Sequence, residues 1–194
     1  MPADILTIGH STHREEQFIG LLLAHGVTAV ADVRSTPFSR RNPQFNRDRL
    51  REALKRSGIE YVFLGRELGA RSDDDACYRD GKVQYALLAK TAPFQAGIGR
   101  IIEGSRTYRI ALLCAEHDPL NCHRTILVAR HLAAAGAKIS HILRDGSIET
   151  HEEALERLAA GLKLGAGDLF GSPAAVIDAA YDKQAQRIAF ERRP

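Results

Sequence analysis

Five short apolar runs, most of them rich in β-branched residues and separated by helical patterns, constrain the fold of this chain more than any other feature. They occupy residues 5–8, 27–33, 61–64, 109–114 and 139–143. Each is too short for a helix core, and most end at Gly, Asp, Cys or Glu, so they read as buried strands. The stretches between them carry helix signals. Thr12 and Glu15 match a capping box, followed by Phe18, Leu21 and Leu22 at helical spacing before Gly26. Asn46 is placed to cap a helix carrying Leu50, Ala53 and Leu54, closed by Gly58. Residues 83–88 and 94–102 read as two helical pieces interrupted at Pro93. Ile126, Ala129, Leu132 and Ala133 mark a further helix ending at Gly136, and Thr150 with Glu153 forms a second capping box before Leu155, Leu158 and Leu162. Strands alternating with helices imply right-handed crossovers. The expected fold is α/β: a three-layer sandwich, its mostly parallel five-stranded sheet covered by helices on both faces.

The 194 residues favour one domain. Residues 1–164 are expected to form it, and residues 165–194 a linker and a C-terminal helix packed upon it. Residues 161–173 hold four glycines and a proline, and Ile177, Tyr181, Gln184 and Ile188 then recur at helical spacing. A hydrophobic content of 44% excludes a disordered chain. No apolar stretch approaches the ~18 residues of a membrane span. The start, Met1-Pro2-Ala3-Asp4, has no secretory pattern, and three cysteines without framework spacing fit a reducing compartment. A cytoplasmic protein with no membrane partner is expected.

In an open α/β sheet, ligands bind beyond the carboxyl ends of the strands. There the sequence places Gly9-His10-Ser11-Thr12, then Asp32-Val33-Arg34-Ser35, then Gly65, Glu67 and Gly69, then Cys114-Ala115-Glu116 with Cys122-His123-Arg124. Residues 7–11, residues 32–34 with Pro37 and Ser39, residues 113–116 and residues 122–124 together make the chain similar to the domain-of-unknown-function family 488. The resemblance covers roughly residues 5 to 160. It implies a compact cytosolic α/β domain and carries no assigned activity. The family often has two adjacent glycines after the third strand, where this chain has Gly69-Ala70.

Cys122 is expected in the first turn of a helix, beside His123 and Arg124, where amides, dipole and guanidinium favour a thiolate. The alternative is a small buried hydrophobe, with Arg124 paired to Asp32 or Glu116. Cys114, Glu116, Cys122 and His123 also form a possible zinc set, although Cys114 reads first as core and no Cys-x-x-Cys occurs. Ser11, His10 and Asp32 can be written as a triad, but no nucleophile-elbow pattern supports it. His10 reads equally as a hydrogen-bonded core histidine. No P-loop and no Gly-x-Gly-x-x-Gly is present, which disfavours Walker-type hydrolysis and Rossmann dehydrogenation. From Asp32 to Arg56, eight basic residues stand against three acidic ones, a local charge of +5, with Phe38 and Phe45 among them. That stretch is either a solvated helix face or a nucleic-acid surface.

The leading expectation is an enzyme acting on an anionic, phosphorylated or nucleotide-like substrate. Cys122, Glu116, His10 and Asp32 are the expected catalytic groups. Ser11, Arg34, Ser39, His123 and Arg124 are expected to bind the substrate. No cofactor or metal is assigned. The alternatives are a nucleic-acid-binding module using the arginine-rich loop, and a metal-binding domain using Cys114, Cys122 and His123.

Overall fold

The computed structural model describes residues 3–164 and 172–192. All five expected strands form: β1 (Asp4–Gly9), β2 (Ala29–Asp32), β3 (Glu60–Phe63), β6 (Ile110–Cys114) and β7 (Lys138–Ile142). They pair in parallel, and a sixth strand, β8 (Ile148–Thr150), adds antiparallel to β7, so that the order is β3-β2-β6-β1-β7-β8. The five-stranded expectation therefore gains an edge strand. At three residues β8 is too short to show a period of two, and a turn at Gly146 (φ +89°) makes the hairpin. A separate two-stranded ribbon, β4 (Tyr78–Arg79) with β5 (Lys82–Val83), was equally beyond sequence periodicity.

Side-chain alternation along the strands sorts the core into two layers. Leu6, Ile8, Val30 and Leu113 face one way and pack on Phe18 and Leu22 of α1 (Glu15–Ala24) and Leu50 and Leu54 of α2 (Arg47–Arg56). Ile5, Ala31, Leu112 and Ile139 face the other way. There they meet α5 (Ala92–Gly104), the helix of residues 124–134, α7 (His151–Gly161) and α8 (Pro173–Ile188). Short helices α3 (Gly65–Leu68) and α4 (Tyr85–Leu88) complete the connections. The result is a three-layer α/β sandwich. Among the described residues, no helix is long and apolar enough to cross a membrane.

Several helix boundaries differ from expectation for local reasons. Helix α1 starts at Glu15, capped at Arg14, whose N–H donates to Gln17 Oε1 (3.3 Å); Thr12 lies before it. Asn46 stands at the head of α2, but its Oδ1 accepts the Ser39 N–H at 2.7 Å and so closes the preceding loop. Pro93 does not interrupt a helix; it sits in the first turn of α5, whose cap is Thr91. The helix after β6 opens as a π-helical segment, Arg124–Ala129, and continues as α6 (Arg130–Ala134). The Thr150–Glu153 capping box forms as expected at the head of α7. In α8, Ala180, Tyr181 and Gln184 are buried, and Gln184 Nε2 donates to the Leu120 carbonyl at 2.8 Å. The expected linker falls largely on residues 165–171, outside the described residues.

Candidate functional site

Neighbouring strands β2 and β6 send the chain to opposite faces of the sheet. The chain after β2 leads to α2 on one face, and that after β6 leads to the π-helical segment on the other. Diverging connections leave a crevice at the strand carboxyl ends. Here it is a cleft of about 370 Å³ whose walls include Arg34, Arg71, Cys114, Glu116, Cys122 and His123.

One wall is a thiol–imidazole cluster. Cys114 ends β6, Cys122 follows a 3-10 turn (Pro119–Asn121), and His123 heads the π-helical segment. Their sulfurs and ring nitrogen all lie within 4.8 Å of one another, and His123 Nδ1 is 3.6 Å from Cys114 Sγ and 4.0 Å from Cys122 Sγ. His123 Nε2 is 2.9 Å from the Val33 carbonyl. A carbonyl only accepts, so Nε2 carries the proton, and in the neutral ring Nδ1 turns a lone pair towards both sulfurs.

The two thiols differ. Burial disfavours a charge on Cys122. A hydrogen bond from Cys114 and the Arg124 guanidinium oppose it and hold the Cys122 thiol well below its ordinary range. Cys114, donating that bond in a buried setting, is pushed the other way. Cys122 Sγ also accepts the Arg124 N–H at 3.4 Å, and the Cys122 carbonyl accepts the Thr125 and Ile126 N–H groups. Cys122 is extended (φ −140°, ψ 140°) and lies just before this segment, not in its first turn as expected, so that its sulfur faces the first amides, which favour the thiolate form.

Arg124 is fully buried and makes no ion pair with any carboxylate among the described residues. Its guanidinium donates to the Glu116 carbonyl (2.5 Å), the His117 carbonyl (3.2 Å) and Thr7 Oγ1 (3.3 Å). It is thus a strut for the 115–121 loop, and it does not line the cleft. Gly9 makes room for this strut: a Cβ there would lie 1.7 Å from the Glu116 carbonyl oxygen.

The other expected residues divide by the face of the sheet they occupy. Asp32 is buried and fully engaged: Oδ1 accepts Arg34 N and Nε, and Oδ2 accepts Arg34 Nη2 (2.6 Å) and the Tyr61 hydroxyl (2.7 Å). It positions Arg34 at the cleft and has no lone pair left for proton transfer. His10 stacks on Phe45 at 4.4 Å in the α1–α2 layer, facing away from the cysteines. Burial and then Arg34 depress it to about 4, so it is neutral. Ser11 sits at φ 45°, outside the cleft lining. Ser39 Oγ accepts the Asn42 N–H within its own loop. Glu116 is exposed at the cleft mouth and is not part of the cysteine–histidine cluster. Of the nine expected site residues, the cleft gathers Cys122, Glu116, Arg34 and His123.

The arginine-rich stretch is partly spent. Phe45 is buried, Arg49 and Arg56 pair with Glu15, and Arg47 covers the Phe63 ring at 4.4 Å. Phe38, 64% exposed, remains at the cleft lip beside exposed Arg40 and Arg41. The cleft also contains residues that sequence reasoning missed. Arg71 lies over the Phe190 ring at 4.5 Å, and Ser35 Oγ accepts the Arg71 N–H at 3.0 Å. Tyr85 and Phe190 come from distant segments that no local motif connects to the cysteines.

Fold and cleft together define an α/β protein with a mostly parallel sheet and a thiol–imidazole cluster at its strand carboxyl ends. The profile of the family described as Domain of unknown function DUF488 matches residues 14–131, and the chain belongs to that family. No curated protein and no solved structure matches the chain.

Proposed function

We propose that the protein is an enzyme acting on a small anionic, phosphorylated or nucleotide-like substrate in this cleft. The observation that carries the reading is the meeting of two buried thiols and a lone-pair imidazole nitrogen with two arginines in one cavity. Arg34 is held by Asp32 through Nε and Nη2, which leaves Nη1 for a ligand. Arg71 reaches the same space from the segment after α3. Two guanidinium groups suit a phosphoryl or carboxylate group by fork geometry. The cysteine–histidine cluster is the reacting centre, and Glu116 at the mouth is the acid or base within reach of solvent.

Calorimetric titration with inorganic phosphate, pyrophosphate and nucleoside monophosphates tests this. At least one is expected to bind, and Arg71→Ala, an exposed change that spares the fold, is expected to weaken it about tenfold, or ~1.4 kcal/mol. Absence of binding by all of them, or binding indifferent to Arg71→Ala, would overturn the reading.

A second reading rests on Phe38, whose exposed ring beside Arg40 and Arg41 suits stacking against a base. It makes the lip a contact for single-stranded nucleic acid.

A further inference from the structure

We propose that Cys114, Cys122 and His123 hold a zinc ion as three protein ligands, with the fourth position open to the cleft. This deepens the reading above and rests on it only for what the ion acts upon.

The ligand atoms are already near the right separations. A tetrahedral zinc with Zn–S of about 2.3 Å and Zn–N of about 2.0–2.1 Å sets its ligand atoms about 3.5–3.8 Å apart. The imidazole Nδ1 lies 3.6 and 4.0 Å from the two sulfurs, and all three atoms fall within 4.8 Å of one another. The nitrogen that faces the sulfurs is the one without a proton. Its partner Nε2 is fixed by the Val33 carbonyl, the outer hydrogen bond that orients a ligating histidine.

The backbone around the ligands is fixed before any ion arrives. Arg124 ties down the carbonyls of Glu116 and His117, Asp118 Oδ1 accepts the Leu120 N–H at 3.0 Å, and Gln184 holds the Leu120 carbonyl from α8. The seven residues between the cysteines therefore form a braced loop, although their spacing matches no finger or ribbon. A donor set of two thiolates and one imidazole suits zinc, a borderline-soft ion.

Charge and access then separate a structural from a reactive site. Two thiolates neutralise a divalent ion, Asp32 balances Arg34, and buried Arg124 leaves the surroundings positive. A structural zinc takes four protein ligands; here no fourth His, Cys, Asp or Glu joins the group among the described residues, and the cleft lies on that side. The open position is the one a water or a substrate oxygen takes when the ion acts as a Lewis acid.

The test is metal content and cobalt spectroscopy on the full chain purified without chelators. About one zinc per chain is expected by elemental analysis. Cobalt exchanged for it should give an intense thiolate-to-cobalt band, weakened in Cys114→Ser and in Cys122→Ser and unchanged in Cys77→Ser. His123→Ala should lower zinc affinity by at least about tenfold. Zinc should also protect Cys114 and Cys122 from iodoacetamide, with labelling restored by chelator. A folded chain without zinc that gives no thiolate band on cobalt addition overturns the inference, as does a band indifferent to both serine variants. If either serine variant is misfolded by circular dichroism, the wild-type protection assay decides alone. Phosphate binding that persists in a chain devoid of zinc leaves the proposed function standing while this inference fails. Bound zinc without any anion binding does the reverse.

Discussion

Two polar groups meet at Arg124, and one is open where the other is closed. On the cleft side, the Arg124 N–H donates to the Cys122 sulfur in a cluster that lines a cavity. On the other side, its Nε donates to Thr7 Oγ1, and a chain continues through His141 and His151 to Tyr181, with every link buried. A guanidinium only donates, so Thr7 Oγ1 accepts from Arg124, and the hydroxyl keeps a proton and a second lone pair for His141. Thr7 Oγ1 lies 2.8 Å from His141 Nδ1, His141 Nε2 lies 3.1 Å from His151 Nδ1, and His151 Nε2 lies 2.6 Å from the Tyr181 hydroxyl. Each group in the closed chain is satisfied by the next, which ties β1, β7, α7 and α8 together. In the open cluster, the Nδ1 lone pair and two sulfurs face a cavity. Both regions contain histidine and both are buried, so burial alone does not mark a reactive site; unspent bonding capacity beside a cavity does.

Removing the shared member should break both regions and have the largest effect. Arg124→Leu strips the donors from two loop carbonyls and Thr7, and is expected to cost about 3–5 kcal/mol, measured by urea unfolding. A loss under 1 kcal/mol would show that Arg124 is no strut.

Acid should strike the closed region. Burial, then His151, then Arg124 depress His141 to about 2; burial also lowers His151, and His10 lies at about 4. The unfolded chain takes up protons on these groups below about pH 6.5, and the folded chain does not. Their contribution to stability is therefore complete above that pH and is lost as pH falls. Each histidine adds at most ~1.4 kcal/mol per pH unit to the slope. Denaturant titrations from pH 7.5 to 5 should show the decline, and His141→Gln should make it shallower by one proton.

Tyr181→Phe removes the end of the closed chain and leaves His151 Nε2 without its partner. It should cost about 1–2 kcal/mol in the same titrations and leave phosphate binding unchanged. A matching loss of binding would mean that the two regions are coupled through Arg124.

The smallest effect is expected at the lip. Arg40→Ala with Arg41→Ala should change stability by less than ~0.5 kcal/mol. If the lip binds single-stranded nucleic acid, the same pair should flatten the salt dependence of binding by roughly one to two units, read by fluorescence anisotropy.

The strands, their parallel pairing and the rim that carries the polar motifs were legible in the sequence, because apolar runs and helix periods are local patterns. Cys122, Glu116, Arg34 and His123 were legible as rim residues on the same grounds. Strand β8 was not, since three residues carry no periodicity, and neither was the closed chain, whose directly bonded members lie up to 134 residues apart at Thr7 and His141. Local sequence also could not assign Arg124 and His10. Arg124 reads as a site residue from its neighbours Cys122 and His123, yet the close approach of Gly9 to Glu116 turns its guanidinium into loop support. His10 reads as catalytic from its place after β1, yet strand alternation points it to the face opposite Cys114. Sequence by itself determined which residues reach the carboxyl rim, because that depends on where each strand ends. Tertiary structure decided which of them share a cavity and which are consumed by internal hydrogen bonds, because that depends on the sheet face each side chain takes and on partners far away along the chain.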